Sequence, residues 1–252
     1  MKRILTLIVC GFCLTGFTQE RLVVEYESIM EFDMAFFESK ISETSGGNTK
    51  EIVNAFKDEM KKSKYYLLQL TPDESEFTYV EKINNDQPQE GRVRVEMGAR
   101  GIFYKNLKDG ITAETVNYPK EYILRDSIRQ YDWKITRESK EILGYEVRKA
   151  EAVVDSTKAL TAWYAPKLVY KNGPAEFGSL PGLILQLEET KDSEDEKATQ
   201  IYTAISLKIV DEKKPIQFPK KGTIISKKDY QSIMDAEMKK MQDMYGGGVD
   251  TD

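Results

Sequence analysis

Short runs of alternating apolar and polar residues, separated by turn residues, recur along most of the chain. This density of strand signals constrains the fold more than any other feature. Arg21 to Phe37 reads RLVVEYESIMEFDMAFF, where Val24, Tyr26, Ser28, Met30 and Phe32 alternate mainly with acidic residues. A side-chain period of two predicts a long opening strand. Further runs follow at 65–70, 76–81, 92–97, 102–106, 111–116, 122–125 and 133–137, then at 145–154, 160–164, 183–189 and 200–210. Asp109-Gly110 is a strong hairpin turn, because glycine accepts the positive φ that such turns need. Strands this close together leave no room for helical crossovers. They predict a mainly β (α+β) domain, with a single curved antiparallel sheet or half-barrel.

Two helices interrupt the pattern. Ser42–Asn48 contains Gly46-Gly47 and reads as a loop. In residues 50–62, Ile52, Phe56 and Met60 recur every four residues and share one helical face, with Thr49 as N-cap. The connector 213–222 carries two prolines and four lysines. Ser226-Lys227-Lys228-Asp229 then resembles a capping box opening a helix over 227–245, which Gly246-Gly247-Gly248 ends.

The first residues read as an address. Lys2 and Arg3 precede an uncharged apolar run, Ile4–Phe17. It falls short of the ~20 residues that span a bilayer but suits a signal peptide, with cleavage after Thr18. Both cysteines, Cys10 and Cys13, would leave with it. The mature chain is expected to be one domain over 19–252, exported to the periplasm or secreted, without disulfides and without a transmembrane segment.

Composition removes several chemistries. The chain has no histidine, so Ser-His-Asp and Cys-His centres and His-ligated zinc are excluded. Its formal charge is −5, which argues against nucleic acid, since phosphate contact needs a basic surface. No Gly-rich phosphate loop is present. No cofactor and no metal are expected.

The most distinctive stretch is 162–188, AWYAPKLVYKNGPAEFGSLPGLILQLE. Gly173-Pro174, Gly178 and Pro181-Gly182 punctuate it, ahead of an apolar strand. Leu180-Pro181-Gly182-Leu183-Ile184 matches five of six positions of the hexapeptide that names the GLPGLI family of exported Bacteroidota proteins. Ser179 stands where that family has its first glycine. Trp133-Lys134-Ile135, Ile142-Leu143-Gly144-Tyr145, Ala162-Trp163-Tyr164 and Asn172-Gly173-Pro174 also resemble it. The resemblance implies a β-rich exported protein, similar to half-barrel lipid carriers by analogy, and no defined reaction.

Two candidate sites follow. Trp133, Trp163, Tyr164, Phe177, Leu180, Pro181 and Gly182, with Tyr170 beside them, would line a pocket for a lipid or other apolar small molecule, or simply build core. Tyr230, Met234, Met238, Met241 and Tyr245 form one stripe on the late helix. That stripe would dock an outer-membrane protein, or bind Cu(I) through soft thioethers, or pack on the sheet. The expected function is a non-enzymatic ligand-binding or accessory protein. A carboxylate-dependent hydrolase is the enzymatic alternative, and it needs two acids ~5–9.5 Å apart in a cleft. The acidic run 188–196 reads instead as a solvated loop.

Overall fold

The computed structural model describes residues 19–44, 49–60, 62–81, 101–194, 196–212 and 214–246. The apolar run 4–17 and the 92–97 run lie outside them. The elements are β1 (Gln19–Phe32), α1 (Met34–Thr44), α2 (Thr49–Met60), β2 (Lys64–Leu70), β3 (Glu74–Val80), β4 (Ile102–Asn106), β5 (Ile111–Val116) and β6 (Tyr122–Ser127). They continue with β7 (Lys134–Ile142), β8 (Tyr145–Val153), β9 (Lys158–Ala165), β10 (Leu183–Asp192), β11 (Lys197–Glu212), β12 (Thr223–Ile225) and α3 (Lys227–Gly246).

The described strands form one open sheet in the order β12-β6-β5-β4-β3-β2-β1-β11-β10-β9-β8-β7. The mainly β class with few helices is therefore as the alternation predicts. Neighbours are antiparallel except β12, which runs parallel to β6. That short edge strand was not foreseen, because three residues carry too little periodicity to read.

The opening strand stops earlier than expected. The backbone N–H of Phe36 donates to Asp33 Oδ1 over 3.0 Å, and that of Phe37 to Asp33 O over 2.9 Å. Asp33 is thus an N-cap, and α1 replaces the end of the predicted strand and the start of the predicted loop. α1 and α2 meet where the Phe37 and Phe56 rings stack with centroids 3.8 Å apart. Phe32 packs edge-on against the same Phe56 ring, which fastens the helix pair to β1.

The sheet is strongly bent. Tyr202 lies on β11 and Phe77 on β3, three strands away, so a flat sheet would hold them about 14 Å apart at ~4.8 Å per strand. Their ring centroids are 6.0 Å apart. Tyr26, Tyr66, Phe77 and Tyr202 form one aromatic cluster on the inner face. The Tyr26 hydroxyl donates to Ile184 O over 2.6 Å, and complete burial pushes its pKa far up. Tyr104, Ala113 and Ile123 point to the opposite face, where Ile216 and Phe218 of the late connector cover them.

Candidate functional site

Residues 166–182, between β9 and β10, form a strap over the inner face. The strap is tied to β10 by its own backbone. Leu183 N–H donates to Leu168 O over 2.9 Å and Ile184 N–H to Asn172 O over 3.0 Å. An isolated bridge joins Asn172 to Gly178, which closes the 172–178 turn. Gly182 lets the chain re-enter the sheet, since a Cβ there would stand 2.3 Å from Ala165 O. Ser179 has φ of 69°, a left-handed conformation that favours glycine.

Two lysines fasten the strap from elements that sequence order keeps remote. Lys105 on β4 is fully buried, and its Nζ donates to Gly173 O over 3.0 Å and to Phe177 O over 2.8 Å. Burial pulls its pKa down to about 7, while the Glu176 carboxylate draws it back up. Lys227, in the first turn of α3, pairs with Glu176 Oε2 over 2.7 Å and lies 4.0 Å from Glu114 Oε2. Burial raises the pKa of Glu114, partly countered by Lys227 and added to by Glu176. Burial also opposes ionisation of Glu176, but Lys227, Lys158 and Arg129 outweigh it and hold its carboxyl below the usual range. Tyr131 reaches the other oxygen of Glu176 over 3.5 Å.

This cluster contains two acids with opposed shifts, a pattern that suits acid–base work. Here an ammonium contacts both, where a hydrolase would hold water and a scissile bond. The arrangement acts chemically as a clamp between strap, β5 and α3. Among the described residues no group of three or more His, Cys, Asp or Glu side chains could hold a metal ion.

The predicted pocket residues divide between two clusters. Trp133, Tyr164, Phe177 and Leu180 come together, with Phe177 and Leu180 of the strap buried against Ala150, Ala162 and Leu187. Trp133 Nε1–H donates to Gly178 O over 3.0 Å, and Tyr131 packs against both Trp133 and Phe177. Trp163 does not join them. It immediately precedes Tyr164 on β9, so it points to the opposite face. It packs instead against the cluster that includes Val147 and Leu183, with Lys140 Nζ 4.1 Å from its ring centroid. Tyr170 sits with that second group, and Pro181 is exposed while Gly182 is buried.

The late stripe is half anchored. Asp229 N–H donates to Ser226 Oγ over 3.0 Å, which is the predicted cap. Tyr230 packs edge-on against Tyr122 and donates to Tyr118 O over 2.9 Å. Met234 is half-buried, whereas Met238, Met241 and Met244 are 54%, 41% and 72% exposed. The Tyr245 side chain lies outside the described ones. No helix among the described residues is long and apolar enough to cross a membrane.

Lys105, Glu114, Glu176 and Lys227 were not singled out in the sequence. One signal was present: Lys105 shares its strand face with Phe103, so the alternation of β4 already turns it inward.

Residues 111–213 match the family model described as the N-glycanase peptide, N-terminal domain. Two solved structures of PNGF-II are similar to the chain. The C2 crystal form aligns with a TM-score of 0.52 and 18% identity, over 86% of this chain and 33% of that one. The P21 form aligns with a TM-score of 0.51 and 18% identity, over 85% and 33%. These likenesses speak to the fold. The chain spans about a third of the length of the PNGF-II structures it matches. No curated protein matches it.

Proposed function

We propose that the chain is an exported, non-enzymatic accessory protein that engages an outer-membrane protein through the methionine face of α3. The observation that carries this reading is the exposure of Met238, Met241 and Met244 beyond an anchored first turn. Flexible thioethers on an unpacked face suit adaptable protein contact. The β8–β10 end of the sheet, by contrast, is covered by the chain's own Phe177 and Leu180. The matched family model describes an N-terminal domain of an N-glycanase, which favours a module working beside other machinery. The 180–184 segment supports membership of the GLPGLI family, and the apolar run 4–17 supports export.

The test is a triple substitution, Met234→Lys, Met238→Lys and Met241→Lys. It should leave the melting temperature within a few degrees and abolish capture of solubilised outer-membrane protein. Undiminished capture would remove α3 as the docking face. An unchanged Cu(I) affinity in the same variant would remove the copper reading.

A second reading, a carrier for a lipid or other apolar molecule, draws on one observation. The strap lies over the aromatic inner face and is fastened to β4 and α3 by polar contacts. Displacing it would open that face. Mass analysis of solvent extracts from the purified protein tests this, and extracts free of stoichiometric lipid would count against it.

A further inference from the structure

Beneath the strap, Lys105 leaves part of its hydrogen-bonding capacity unused. An ammonium has three donors, and two of them go to Gly173 O and Phe177 O. Ser75 lies directly opposite Lys105 in the β3–β4 ladder, so the two side chains share a face. Its hydroxyl is fully buried and has no partner. Asn172 directly precedes Gly173 and is 1% exposed. Its Oδ1 accepts from Gly173 N–H over 2.8 Å, which fixes the amide and leaves Nδ2 without a partner. Unpaired buried polar groups are costly, and natural proteins satisfy them.

The β3–β4 pairing and the Gly173 carbonyl that Lys105 holds therefore draw together three groups with spare capacity: an ammonium N–H, the Ser75 hydroxyl and the amide NH₂ of the adjoining Asn172. They offer donors and a positive charge, and lack a fixed acceptor. We propose that Lys105, Ser75 and Asn172 bind one small inorganic anion of halide size beneath the strap. The bound ion would join β3, β4 and the strap through a third fastening.

Thermal melting at pH 6 and fixed ionic strength, exchanging sodium gluconate for sodium bromide, tests this with the intact protein. Bromide should raise the melting temperature saturably, and crystals grown in bromide should show anomalous density beside Lys105 Nζ. Ser75→Ala should fold, melt higher than the parent in gluconate, and require roughly tenfold more bromide for the same shift. Asn172→Asp keeps the acceptor for Gly173 N–H but puts a carboxylate where the amide donor was, and should abolish the shift. The same bromide dependence in the parent and both variants, or a peak without anomalous signal, would overturn the proposal in favour of a buried water.

Discussion

The ammonium of Lys105 donates to the carbonyl oxygen of Phe177 across 2.8 Å, although the two residues are 72 positions apart in the chain. A buried lysine in such a place couples the strap to pH. Unfolded, Lys105 keeps its proton up to about 10.5, whereas in the fold it loses it near 7. The unfolded chain then binds more protons throughout that window, so stability rises with pH across it. At about 1.4 kcal/mol per unit, the rise from pH 7 to 9 should be about 2 kcal/mol. Urea unfolding at several pH values measures this. Lys105→Met should flatten the slope. It should also cost about 1–3 kcal/mol for each strap carbonyl left without a donor.

Gly182→Ala tests the return of the strap into β10. The new Cβ would meet Ala165 O at 2.3 Å and Ala165 C at 2.7 Å. Both are backbone atoms of the adjoining strand, so no side chain can swing away. The strap must shift or β9 and β10 must part. We expect a loss of about 3 kcal/mol or more. The outcome to watch is a lowered urea midpoint, and an unchanged midpoint would mean that the strand junction yields freely.

Two further substitutions should stabilise the protein. Ser179 adopts φ of 69°, and Leu143 adopts 52° just ahead of Gly144 at 77°. A left-handed conformation costs a residue with a Cβ roughly 1–2 kcal/mol, part of which glycine returns as unfolded-state entropy. Ser179→Gly should therefore gain about 0.5–1 kcal/mol. Leu143→Asn creates the Asn-Gly pair that two-residue hairpins favour and removes an exposed leucine, for a similar gain. Equilibrium denaturation should show both gains.

The sheet was largely legible because alternation is a local signal. The β4 and β5 runs, at 102–106 and 111–116, have the same limits in sequence and structure. α1 was not legible, since Met30 to Phe37 continues an apolar spacing that serves a strand or a helix equally. Only the Asp33 carboxylate, meeting Phe36 N–H, decides between them. The clamp was hidden for another reason. Lys105 finds its carbonyl partners 68 and 72 residues later, and Lys227 finds Glu176 51 residues earlier. No spacing rule reaches that far. Trp163 and Tyr164 show the opposite lesson, for adjacent strand residues cannot line one pocket, and the period of two alone separates them.

The Lys227–Glu176 pair should link the strap to α3. Its side chains are 36% and 22% exposed, so solvent screens the attraction and a coupling of about 1 kcal/mol is expected. A double-mutant cycle with Lys227→Met and Glu176→Gln measures it at pH 7. The folded pKa of Glu176 is depressed below its usual 4.5. Its contribution is therefore complete above that unfolded value and disappears as the pH falls through the folded one. The coupling should accordingly fall away as the pH drops below the usual carboxylate range, while Lys227 stays charged. If the pair holds α3 against the sheet, amide exchange in residues 227–234 should quicken in either single variant at pH 7. Exchange that stays slow there would show that Tyr230, packed on Tyr122, anchors the helix unaided.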